Sequence, residues 1–180
     1  MALIDTVPPE NAQGLIKEAY AMFRAKLGIV PKPLEMMSAS PALFELQVRR
    51  IQYLSQHPNL SFALLAHIRY LAAHNLNYPF CMDFNKAILH KLGLNDADIA
   101  AIEADPSSSQ LELKENAMLV FVIKAIQTPA KITAADTQHL RALGWEDRDM
   151  VDALSQGVSM IDHAIMMEAF KMDQHCAVST

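Results

Sequence analysis

The sequence predicts an all-α protein, and three observations predict it. No segment alternates apolar and polar residues with the period of two that a half-buried strand needs. Eleven methionines stand beside four tyrosines and one tryptophan, a balance that suits helix packing better than sheet packing. Five glycines in 180 residues leave little for the tight turns of an all-β chain.

Proline and glycine punctuation then divides the chain into helices. Pro8-Pro9 opens the first, which is expected to run to about Leu27 and stop at Gly28; Leu15, Ala19, Met22 and Leu27 keep its apolar spacing. The connector Val30-Pro31-Lys32-Pro33 leads into a short helix ending near Ser40. Pro41 starts a third helix, and His57-Pro58 ends it. The fourth is expected from Ser61 to Leu76. Phe62, Ala63, Leu64, Leu65, Ile68, Leu71, Ala72 and Ala73 point apolar groups in nearly every direction, so this helix belongs at the centre of the bundle. Asn77 and Pro79 begin a fifth helix that ends at Leu92-Gly93, and Asn95-Asp96 caps a sixth to about Glu103. Pro106 and three serines form a loop. Leu113 to Gln127 makes a seventh helix, Thr133 caps an eighth ending at Gly144, and a ninth runs from about Asp147 to Met172. No linker or repeat interrupts the pattern, and residues 1–180 are expected to form one domain.

Composition bounds the function. Hydrophobic residues make up 52% and charged ones 19%, which is not the composition of a disordered chain. The net charge of −5 carries no basic face for phosphates, so nucleic acid is not an expected partner. The longest apolar runs, such as Ala117 to Ile123, are far shorter than a membrane span. The first residues show no secretory pattern, and two cysteines far apart point to a reducing cytoplasm.

The chemistry-bearing stretch is Tyr78-Pro79-Phe80-Cys81-Met82-Asp83-Phe84-Asn85, continuing through His90-Lys91-Leu92-Gly93-Leu94-Asn95-Asp96. It resembles the core of the alkylhydroperoxidase D and carboxymuconolactone decarboxylase family. There a helix begins with Cys-x-x-Cys, reaches a histidine four residues on, and ends in a Gly-Leu-Ser/Asn-Asp turn. Leu140-Arg141-Ala142-Leu143-Gly144-Trp145 and the Pro31, Met36, Ser40-Pro41 region are similar to outer parts of the same family, so the resemblance spans roughly residues 10 to 170. It implies a helical bundle, a homo-oligomer, no cofactor, and a thiol relay in which two cysteines, a histidine and a glutamate of the preceding helix take part. Placed on this chain, the second cysteine is Cys81, the first is Tyr78 and the histidine is Asn85. The glutamate position is Ala66, with His67 beside it. No second cysteine stands at the site unless Cys176 folds back.

The resemblance therefore implies a one-cysteine cycle on a small hydroperoxide. Cys81 is the nucleophile at a helix start, Asn85 and Tyr78 position the substrate, His67 moves the proton, and an external thiol resets the sulfur. The alternative is a silent relative that binds a small apolar molecule or a protein partner in the former active-site pocket; lactone decarboxylation is a third reading. Tyr70 and His74 continue a polar stripe from His67, and with Phe84 they are the expected ligand contacts. For Cys81 the plainer reading is a small buried hydrophobe, and for Asn85 a side chain that satisfies nearby backbone. His67, His74 and Cys81 or His163 do not have a known zinc spacing, so no metal is expected. The tail Asp173-Gln174-His175-Cys176 reads as a fraying end.

Overall fold

Helices start where the chain supplies a cap. Asn95 Oδ1 accepts from the N–H groups of Ala97 and Asp98 at 2.8 and 3.0 Å, and Asp98 returns the favour to the Asn95 N–H at 2.9 Å. Thr133 and Asp136 repeat the reciprocal arrangement. Both caps were legible as sequence. The structure, a computed structural model, describes residues 2–75 and 79–172. Among them are nine α-helices and no strand: α1 (Gly14–Leu27), α2 (Lys32–Met37), α3 (Pro41–Ser55), α4 (Phe62–Asn75), α5 (Pro79–Lys91), α6 (Asp96–Ala104), α7 (Leu113–Gln127), α8 (Ala134–Ala142) and α9 (Asp147–Ala169). The all-α reading is thus correct.

The first helix differs from expectation. Pro8-Pro9 starts only a 3-10 turn, Pro9–Asn11. Gln13 is extended and Gly14 takes a φ of +52°, which a helix running straight through that position would not allow. The α-helix therefore begins at Gly14. It stops at Gly28, which adopts the left-handed conformation as its place after Leu27 suggests.

The described residues form two compact units, residues 2–56 with 165–172, and residues 57–75 with 79–164. In the first, α3 packs with α1 and α2. Tyr20 meets Phe44 edge-on at 5.8 Å, and its hydroxyl donates to the Val7 carbonyl at 2.9 Å. Phe44 is wholly buried.

In the second unit α4 packs against α5 and α7. Leu64 through Ile68 and Tyr70 through Ala73 are all buried, as an all-round apolar helix should be. Trp145 is buried too, and its indole N–H donates to the Lys114 carbonyl at 2.9 Å. Gly157 of α9 shows how close the packing is. A Cβ there would lie 2.6 Å from Ile126 Cδ1, 3.1 Å from Val122 Cγ1 and 3.3 Å from Ile68 Cγ2. Gly157→Ala should gain about 1 kcal/mol of helix propensity and lose about 2 kcal/mol to overpacking. The expected net is a Tm lower by roughly 3 °C. A thermal melt at or above the parent's would show that Ile126 turns aside at no cost.

Candidate functional site

Cys81 is the third residue of α5, and Pro79 opens that helix with its fixed φ. A helix start lowers a thiol pKa through the dipole, an effect of about 1 kcal/mol or less. Burial acts the other way and wins. Cys81 is 4% exposed, and desolvation pushes its thiol up to about 12. That is about 4 kcal/mol against the thiolate. At Cys81 the effect of the helix start is outweighed, because the sulfur itself is withdrawn from water.

Asn85 follows one turn later and is 2% exposed. Its Nδ2 donates to the Cys81 carbonyl at 2.8 Å, and its Oδ1 accepts from Arg69 Nε at 3.1 Å. Both ends of the amide are thus engaged within the protein. Arg69 comes from α4, where it is the sole Lys, Arg, Asp or Glu. Its guanidinium lies 5.6 Å from the centre of the Phe62 ring. Desolvation lowers its pKa to about 10, so it remains a cation at neutral pH.

His67 is 2% exposed on α4. Its Nδ1 lies 2.8 Å from the Ala63 carbonyl, which can only accept, so Nδ1 carries the proton. Nε2 is then a lone-pair acceptor, and it is buried with no hydrogen-bond partner among the described residues. Desolvation lowers the His67 pKa, opposed by the Ala63 hydrogen bond and by Glu115 on α7. The group is held neutral, in the form that accepts a proton.

A pH test follows from that direction. Below the ordinary value near 6.5 the unfolded histidine takes a proton that the folded one resists. Stability is full above 6.5 and falls as the pH drops toward the depressed folded value, by up to about 1.4 kcal/mol per pH unit. In His67→Leu that contribution should vanish, so the parent's urea-denaturation stability minus the variant's should fall from pH 7.5 to pH 5. Parallel profiles would sink the assignment of His67 as a buried neutral base.

The other members of the expected stripe do not continue toward His67's open nitrogen. The Tyr70 hydroxyl, on a residue 1% exposed, donates to Glu103 of α6, and burial together with that carboxylate raises its pKa. His74 stacks on Tyr70 with centroids 6.3 Å apart. Tyr70 and His74 thus form a pair with Glu103, separate from the His67 contacts. Phe84 is half-buried on α5. Tyr78 and Cys176 lie outside the described residues.

Sequence reasoning missed two features. Arg69 is one; its being the single charged residue of an otherwise apolar helix was the available signal. The other is a buried cluster at the start of α9. His57 Nδ1 accepts from the N–H groups of Asn59 and Leu60 at 3.2 and 3.0 Å, so its proton is on Nε2, which lies 3.3 Å from Asp152 Oδ2 and 3.8 Å from Asp149 Oδ1. Asp149 is fully buried and accepts from Asn59 Nδ2 and from the Glu146 N–H. Among the described residues no group of three or more His, Cys, Asp or Glu is placed to hold a metal ion. None of their helices is long and apolar enough to cross a membrane. An open groove of about 500 Å³ in the first unit, lined by Leu15, Ile16, Pro41, Ala42, Phe44 and other residues, contains none of the candidate residues.

No family model matches the sequence, and no curated protein matches it. Solved structures do match. The chain is similar to an uncharacterized peroxidase-related protein from Silicibacter sp. TM1040, at 20% identity over 95% of this chain and 90% of that one, with a TM-score of 0.74. It is similar to a peroxidase-related protein with an alkylhydroperoxidase AhpD core from Ralstonia eutropha JMP134, at 17% identity, the same coverage and a TM-score of 0.77. A third likeness is to a cysteine-to-alanine variant of the debrominase Bmp8 in complex with 2,3,4-tribromopyrrole, at 14% identity over 95% and 92% of the two chains, with a TM-score of 0.71. The fold of this chain is that of the AhpD-like, peroxidase-related proteins.

Proposed function

We propose that this chain is a peroxidase-related protein by fold that binds a small molecule against α4 and does not run a thiol-peroxidase cycle at Cys81. The observation that carries the reading is the state of Cys81, a thiol buried and pushed up to about 12. A thiolate is the form that attacks peroxide, and burial removes it. Asn85 cannot restore it, since an amide neither takes a proton near neutral pH nor, here, has an end unused. Support for binding comes from His67, whose buried Nε2 accepts a hydrogen bond that no described residue gives. An unmet buried acceptor costs about 1–3 kcal/mol, which an N–H or O–H of a ligand recovers. The Bmp8 structure, which holds a small halogenated heteroaromatic, supports a scaffold able to enclose such a molecule.

Hydrogen peroxide titration of the Cys176→Ala protein at neutral pH tests this. The expected result is no sulfenic acid on Cys81 while the protein is folded, and oxidation once urea unfolds it. Stoichiometric sulfenic acid in the folded protein would overturn the reading and favour a second one.

That second reading is a one-cysteine peroxide reduction, and the same His67 lone pair favours it. Sulfur would attack one peroxide oxygen as the O–O bond breaks. The thiol proton would pass by way of His67 to the departing oxygen, giving a sulfenic acid and an alcohol. Two equivalents of an external thiol would then return Cys81 to the thiol, releasing water and a disulfide.

A further inference from the structure

Arg69 stands apart from the other arginines whose contacts are clear. Arg49, Arg141 and Arg148 are exposed, and each has a carboxylate within 2.6, 2.7 and 3.0 Å, where water would have solvated it in any case. Arg69 is half-buried, and among the described residues its guanidinium has no carboxylate. Its one protein acceptor there is the amide oxygen of Asn85, which carries no charge. A desolvated cation without a counter-charge is costly. If the task were only to tie α4 to α5, a neutral donor in place of Arg69 would do it without that cost.

The surroundings are built to hold the guanidinium in one orientation. Asn85 is 2% exposed and anchored at its other end on the Cys81 carbonyl, so it fixes the Nε edge. The central carbon of the group stands over the face of the Phe62 ring, 5.6 Å from its centre. With Nε committed, the Nη1 and Nη2 groups have no acceptor among the described residues. Paired guanidinium N–H groups match two oxygens of one planar or tetrahedral anion. Phe62 is 58% exposed, so this end of the site is open to solvent.

We infer that Arg69 binds a small oxyanion, either an organic carboxylate or inorganic phosphate, through Nη1 and Nη2 beside Phe62. This deepens the binding reading and rests on it for the role of the anion, though not for the binding itself.

Calorimetric titration of the full chain at fixed ionic strength tests it, with benzoate and inorganic phosphate as probes and benzyl alcohol as the uncharged control. One anion should saturate a single site, benzyl alcohol should not, and Arg69→Gln should weaken binding by about tenfold or more. Arg69→Lys, which keeps the charge and loses the fork, should fall between. Tighter benzoate binding identifies a carboxylate site, and tighter phosphate binding a phosphate site. In the parent protein the Arg69 Nε–H resonance should shift along the same isotherm, a readout that needs no variant to fold. The inference is overturned if neither anion saturates by about 20 mM, a range that already covers weak binding. It is equally overturned if Arg69→Gln, folded by circular dichroism, binds as well as the parent, or if benzyl alcohol matches benzoate. Peroxide oxidation of Cys81 would remove the binding reading and leave anion binding at Arg69 standing. An inert Cys81 with no anion bound would do the reverse.

Discussion

In a Cys176→Ala background, iodoacetamide should label Cys81 of the folded protein roughly a thousandfold more slowly at neutral pH than it labels a free thiol. Raising a thiol from about 9 to about 12 cuts its thiolate fraction at neutral pH by that factor. The sign of the pH dependence is fixed by the same direction. The thiol is neutral throughout the physiological range, so the logarithm of the rate should climb with pH in proportion and show no plateau below about pH 10. Burial adds a second barrier, because the reagent must reach a sulfur on a residue 4% exposed. Urea should bring the rate up to that of an unstructured cysteine. A plateau near pH 7, with rapid labelling of the folded protein, would mean that the Cys81 sulfur is open to water, and it would revive the peroxidase reading.

The contrast between Cys81 and the rest of the site shows what a sequence can and cannot disclose. Elements were legible where the physics is local. Asn95 and Thr133 cap helices within three residues of themselves, and Gly28 ends one by its own conformation. The core helix α4 was legible because its apolar residues point in all directions. The placement of Asn85 one turn from Cys81 was legible, and its plainer role, holding nearby backbone, is part of what the structure shows. The pKa of Cys81 was not legible. The helix start is a local feature and lowers it, whereas burial depends on everything packed around α5 and raises it. Arg69 meets Asn85 across 16 positions, Tyr70 meets Glu103 across 33, and Asn59 meets Asp149 across 90. No periodicity links such partners, so the stripe His67, Tyr70, His74 read as one row, although the fold gives Tyr70 a partner on α6 and sets His67 against α7.

The Asp149→Ala protein should be less stable by about 3 kcal/mol. Asp149 is the third residue of α9, and its carboxylate reaches back to the N–H of Glu146 at 2.9 Å, the N-terminal half of a capping box. It also takes both available contacts from Asn59 Nδ2, at 3.1 Å to each oxygen. Asn59 follows His57, whose ring holds the Asn59 and Leu60 N–H groups just before α4 begins. One buried carboxylate therefore joins the start of α9 to the entry into the helix that carries His67 and Arg69. Alanine leaves the helix end uncapped, frees the Asn59 amide, and removes a neighbour of His57 Nε2. A cap alone is worth about 1 kcal/mol, and a buried donor left unpaired about 1–3 more. Asp149→Asn separates the two contributions. It keeps the shape and one acceptor and loses the charge, so it should cost about 1 kcal/mol. The measurement is the urea midpoint at pH 7.5 with an unchanged m-value. If alanine and asparagine cost the same, charge rather than the hydrogen-bond pattern holds the cluster. If alanine costs less than about 0.5 kcal/mol, water replaces Asp149 freely, and the cluster is not what fixes the entry to α4.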